Sequence, residues 1–160
     1  VNPGYTDTPQ GRVYAPYPEA QIETVIALTR DIVQRHRIAP ERVLGHADIA
    51  PGRKQDPGPQ FPWRRLAQAG IILWPDADQV AERLAFHRGQ PLPEVVWFQQ
   101  RLATVGYRVP QSGELDPATR QVISTFQMKY RPSDIGGEPD AETAALLEVV
   151  STPGGMRALP

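Results

Sequence analysis

The chain has 160 residues, 40% of them hydrophobic and 22% charged, with a formal net charge of -1. That length holds one ordinary domain or two small ones, and near neutrality excludes the strongly basic face of a nucleic-acid binder. No apolar run approaches the roughly 18 residues needed to span a bilayer, and the absence of cysteine excludes disulfides, thiolate nucleophiles and cysteine zinc sites.

Residues 1–17 are rich in Pro, Gly and Thr, with one short extended candidate, Arg12-Val13-Tyr14. The opening Val1-Asn2-Pro3-Gly4 has no methionine and none of the regions of a secretory signal, so a processed or truncated end is expected. Pro18 and Glu19 then start a helix, with Pro at its first position and an acid in its first turn. Ile22, Val25, Ile26, Thr29, Ile32 and Val33 follow the spacing of one buried stripe, and Pro40 blocks continuation. Arg42-Val43-Leu44 reads as a short buried strand ending at Gly45-His46.

From Ala47 to Pro62 the prolines and glycines leave no room for regular structure. Trp63 begins a short helix stopped by Gly70, and Asp76 caps another, with Val80, Ala81 and Leu84 inward and Gly89 at its end. Residues 1–88 are therefore expected to be α/β, a mixed sheet flanked by helices with its N-terminal part missing. Gly89-Gln90-Pro91-Leu92-Pro93 is the expected linker.

Residues 94–150 differ in character. Val95, Phe98, Leu102 and Val105 form one helical face. Gly113-Glu114-Leu115-Asp116-Pro117-Ala118-Thr119 then returns as Gly137-Glu138-Pro139-Asp140-Ala141-Glu142-Thr143, each Asp placed as an N-cap. This predicts a small all-α module of three helices, with a frayed tail over residues 151–160.

The chemistry concentrates between Gly45 and Pro59. His46 is held at a strand end, and Asp56 follows ten residues later in a loop stiffened by Pro57, Gly58 and Pro59. An imidazole and a carboxylate on a rigid support are two of the three protein ligands of an open zinc site. Lys54 could set an ammonium beside it and stabilise an oxyanion. Spacing alone leaves other readings open: a part-buried core histidine, and a solvated cluster at Arg53-Lys54-Gln55-Asp56. His36 fits the end of the helix dipole and His87 an exposed helix end.

The string from Val43 through Trp63, closing on Phe61-Pro62-Trp63, resembles the signature of the type-2 N-acetylmuramoyl-L-alanine amidases. These are AmpD/AmiD-like zinc enzymes related to peptidoglycan recognition proteins. Leu66-Ala67-Gln68-Ala69-Gly70-Ile71 and Trp74-Pro75-Asp76 look like the same family. The three-helix module resembles its peptidoglycan-binding domain, through Gly106-Tyr107, Phe126-Gln127 and the two Gly-x-x-Asp-x-x-Thr units. The resemblance implies that His46 and Asp56 are zinc ligands, that Lys54 is the catalytic lysine, and that the substrate is peptidoglycan or a muropeptide. It also implies a periplasmic protein, of a type often anchored as an outer-membrane lipoprotein.

The family's remaining zinc histidine and its glutamate base have no matching position. Glu19 and Glu41 are explained by a helix start and a turn. The chain therefore reads as the C-terminal part of a longer amidase, whose upstream segment would complete the sheet and the site. Two other readings stand beside this one: a non-catalytic peptidoglycan-binding fragment, and a module that serves packing alone. If the module is a targeting unit, its removal should spare hydrolysis of a small soluble muropeptide.

Overall fold

Pro9 and Gly11 reverse the chain near its start. The flanking residues form an antiparallel hairpin, β1 (Tyr5–Thr8) with β2 (Gly11–Tyr14), Asp7 standing opposite Arg12. The computed structural model describes all 160 residues. Helix α1 (Glu19–His36) follows, with Pro18 as its N-cap rather than its first residue, and it ends at a left-handed Arg37, three residues before Pro40. Of its apolar stripe only Ile22 is buried; Val25, Ile26, Thr29, Ile32 and Val33 are half-covered, because no sheet face lies over them. The helix packs instead on residues 61–72, where Phe61, Trp63, Leu66, Ala67, Ile71 and Ile72 form the first core.

Residues 42–44 are not a strand. A single 3-10 turn occupies Pro40–Arg42, and Val43 N–H donates back to Pro40 O at 3.3 Å. No strand runs beside these residues to share a hydrogen-bond ladder, and Leu44 is half exposed. Two short helices, α2 (His46–Ile49) and α3 (Trp63–Gln68), bracket the Pro/Gly loop. The irregular stretch therefore begins after Ile49 and not at Ala47, where Asp48 accepts from Gly45 N–H and closes a helical turn. The α/β part thus carries short antiparallel strands among helices.

The C-terminal module is all-helical: α5 (Val95–Val105), α6 (Pro117–Tyr130) and α7 (Ala141–Ser151). Phe98, Leu102, Val122, Ile123, Phe126 and Leu147 make its core. Phe98 and Phe126 are wholly buried, and truncating such a ring costs about 3–5 kcal/mol.

The sequence repeat has a physical basis that extends beyond its caps. Asp116 accepts from Thr119 N–H and Asp140 from Thr143 N–H, each at 2.7 Å. Each turn is also gripped by a buried glutamine from the preceding helix. Gln99 Nε2 donates to Thr119 Oγ1 and Glu114 O, and its Oε1 accepts from Gly113 N–H. Gln127 makes the same three bonds to Thr143, Glu138 and Gly137. The repeat is therefore Phe-Gln followed by the capped turn.

Three further expectations need correction. Helix α4 (Ala77–Arg88), which precedes the proline-rich connection, packs on α7. His87 is buried there, with Nε2 2.8 Å from Glu148 Oε2, and does not sit at an exposed helix end; Ala81 faces solvent. The tail is not frayed. β4 (Met156–Arg157) pairs antiparallel with β3 (Trp74–Pro75), and Leu159 rests on the first core. No helix is long and apolar enough to cross a membrane.

Candidate active site

Three contacts shape the loop that carries the candidate residues. Gly45 lies so close to its neighbours that a Cβ there would stand 2.8 Å from Pro57 Cδ and 3.1 Å from Trp63 Cζ2. Ala47 N–H donates to Asp56 O at 2.9 Å, tying together the two sides of the loop next to His46 and Asp56. Tyr17 donates its hydroxyl to Pro57 O at 2.7 Å. Burial, then the Asp56 charge, pushes the Tyr17 phenol up to about 12, so it remains a neutral donor through physiological pH.

His46 is the first residue of α2 rather than the end of a strand. Its Nδ1 stands 3.3 Å from Asp56 Oδ2, with His46 half exposed and Asp56 largely covered. This spacing can be tested against a metal. Ligand bonds of about 2.0–2.1 Å put two ligands of a tetrahedral zinc about 3.3–3.4 Å apart. The pair fits two corners of such a site. No group of three or more His, Cys, Asp and Glu side chains converges anywhere in the chain, so these residues alone do not complete one.

Lys54 is exposed. It lines a cleft of about 220 Å³ with Gly52 and Gln55, facing Arg120, Gln121 and Ser124 of α6; neither His46 nor Asp56 lines it. Gln55, between Lys54 and Asp56, is held from the hairpin. Arg12 Nη1 and Tyr14 OH both donate to its Oε1, at 2.7 and 2.8 Å.

Sequence reasoning passed over Asp48. Its Oδ2 accepts from Gly45 N–H at 2.8 Å and from Lys129 Nζ at 3.2 Å, while its Oδ1 accepts from Tyr107 OH at 2.7 Å. The Lys129 ammonium also stands 4.4 Å from the centroid of the Trp63 ring. The module is thus fastened to the candidate loop by a buried ion pair and is not a separate bead. One signal was available: Lys54 and Lys129 are the only lysines in a chain with 17 basic residues. Burial, with the Asp48 charge next, raises both the Tyr107 and Tyr130 phenols well above their usual range. A larger cavity of about 410 Å³ lies beside this pair, between the two halves, but neither His46 nor Asp56 borders it.

Residues 1–59 match the family model for N-acetylmuramoyl-L-alanine amidase, and residues 91–147 that for a putative peptidoglycan binding domain. Over those first 59 residues the chain is similar to this amidase family. It is 43% identical over 150 residues to N-acetylmuramoyl-L-alanine amidase AmiD of Escherichia coli K12, across 93% of this chain and 54% of that protein. The structure of that E. coli amidase, complexed with the substrate anhydro-N-acetylmuramic acid-L-Ala-D-gamma-Glu-L-Lys, superposes with a TM-score of 0.84 at 42% identity. That match covers 95% of this chain and 59% of the other. AmpDh3 from Pseudomonas aeruginosa, complexed with anhydromuramic pentapeptide, gives 0.81 at 33% identity, over 90% and 56%. The chain therefore spans a little over half the length of these relatives.

Proposed function

We propose that the protein carrying this chain is a zinc-dependent amidase that hydrolyses the bond between N-acetylmuramic acid and L-alanine in peptidoglycan or its fragments. The observation that carries this reading is the 3.3 Å approach of His46 Nδ1 to Asp56 Oδ2 inside the segment that matches the amidase model. His46 and Asp56 would hold the metal, with the third ligand and the glutamate base supplied by residues outside these 160. When bound, zinc supplies a Lewis acid for the carbonyl and a water whose pKa falls toward about 7. Lys54 offers an ammonium to the oxyanion that develops as the amide carbon becomes tetrahedral. Pro57 and Tyr17 keep Asp56 in place, and Gln55, held by Arg12 and Tyr14, fixes the backbone between Lys54 and Asp56. The attached module would keep the enzyme at its polymeric substrate. The family resemblance also supports a periplasmic place at the outer membrane, which fractionation would test.

The second reading is a peptidoglycan-binding protein without catalysis, favoured by the absence of a third converging ligand. One experiment separates the two. The polypeptide encoded by the complete gene is purified, its zinc quantified, and anhydromuramyl tripeptide added. Release of a peptide with a free L-alanine amine, abolished by chelation and restored by zinc, supports the amidase. Retention on insoluble peptidoglycan without any release supports the binding protein.

A further inference from the structure

Helix α6 belongs to the module, yet one of its faces is pressed onto the loop that carries His46, Lys54 and Asp56. Gly52 sits at φ 76 beneath Gln121, and a Cβ there would overlap the Gln121 side chain. Two turns further along α6, Lys129 meets Asp48, with side chains only 10% and 8% exposed. Sliding α6 across the loop would leave two buried charges unpaired, so helix and loop move as one body.

The cleft between Lys54 and α6 is therefore a built feature and not a seam between independent domains. Of its nine lining residues only Met128 is apolar, and none is a carboxylate. Lys54 and Arg120 bring two positive charges to it. Glu138 pairs with Nη1 of Arg120 and leaves the other guanidinium N–H groups available.

We propose that this cleft is a stem-peptide subsite shared by the amidase segment and the module, in which Arg120 receives a free carboxylate of the peptide. The inference rests on the amidase reading above. A γ-linked glutamate in the stem keeps its α-carboxylate free, within about 7 Å of the scissile bond at the reach of two extended residues. A guanidinium matches a carboxylate in geometry as well as in charge. Lys54 serves the reacting carbonyl, and Arg120 serves specificity.

The test uses the complete enzyme loaded with zinc and two substrates: anhydromuramyl-L-Ala-γ-D-Glu-L-Lys, and the same compound with the α-carboxylate amidated. Wild type should favour the free acid. In Arg120→Gln the ratio of kcat/KM for acid over amide should fall about tenfold, mainly through KM, the size of one charged hydrogen bond. Arg120→Lys should recover part of that ratio. Glu138→Gln, which removes the competing carboxylate, should raise it. A ratio of one in wild type, or the same ratio in wild type and Arg120→Gln even if both rates drop, overturns the subsite while leaving the amidase reading intact. A wild-type enzyme that cleaves neither compound overturns the amidase reading, and the subsite with it.

Discussion

Asp48 and Lys129 are 81 residues apart in the chain and 3.2 Å apart in the fold. The first lies in α2 beside the candidate metal ligand His46, and the second in α6 of the C-terminal helical module. Tyr107 completes the contact from the segment after α5, 2.7 Å from the other carboxylate oxygen. The junction is therefore a desolvated polar network, and such networks are costly to leave half-made. Removing residues 94–150 would uncover Asp48, the Trp63 ring and the α7 face of α4, so an effect on catalysis is expected as well as on wall retention.

Breaking the pair from one side should be worse than removing it whole. Lys129→Met alone leaves a buried carboxylate and should cost about 3–5 kcal/mol. Lys129→Met combined with Asp48→Asn should cost less than the sum of the single changes. Urea unfolding of the four proteins closes the double-mutant cycle, and strict additivity would show that the two groups do not interact.

Gly45→Ala should damage the loop without changing any charged group. The new methyl would stand 2.8 Å from Pro57 Cδ, and backbone must move to accept it. Overpacking of this kind costs about 1–3 kcal/mol. Displacing Pro57 also displaces Asp56, so zinc affinity should fall together with melting temperature. A variant with unchanged zinc affinity would remove Gly45 from the account of the site.

Substitutions within the site should separate by role in the complete enzyme. Asp56→Ala should lose zinc and activity together. Lys54→Ala should keep zinc and lose on the order of 10²–10³ in kcat, the usual loss for one oxyanion donor. Metal analysis alongside kinetics decides between them. Equal activity in all three proteins would sink both assignments.

Alkaline pH should destabilise the fold through its buried phenols. The folded state holds Tyr107 and Tyr130 above the unfolded value near 10, chiefly by burial and then by the Asp48 charge. A raised pKa means that this contribution is complete below pH 10. It is lost above that, as the unfolded chain releases protons the folded chain retains. Tyr130→Phe should flatten the decline between pH 10 and 11, and thermal melts across that range would register it.

The repeated glutamine grip predicts a matched pair of defects. Gln127→Leu leaves Gly137 N–H without its acceptor and should cost about 1–3 kcal/mol. Gln99→Leu should do the same at Gly113 N–H. Chemical denaturation of both variants, set against the milder Asp140→Ala cap change of about 1 kcal/mol, would rank these contributions.

By itself the sequence determined the features whose causes lie within a few residues. Pro18 precedes α1, Asp116 and Asp140 cap α6 and α7, and the Pro/Gly run from Pro51 to Pro62 forbids regular structure. Each of these acts through a neighbouring dihedral or a free amide one turn away. The motif around His46 and Asp56 was legible for the same reason, as a continuous string. Tertiary structure decided everything that needs a distant partner. Residues 42–44 have an apolar, strand-like composition, but a strand exists only where another strand accepts its hydrogen bonds, and none lies alongside. His87 looked like a helix-end residue until Glu148 arrived from α7, and the tail looked loose until Trp74 and Pro75 gave it a ladder. Asp48 carries no local sign of its role. Its burial is tolerable only because the fold delivers Lys129 and Tyr107, and a charge's partner is set by the path of the chain in space.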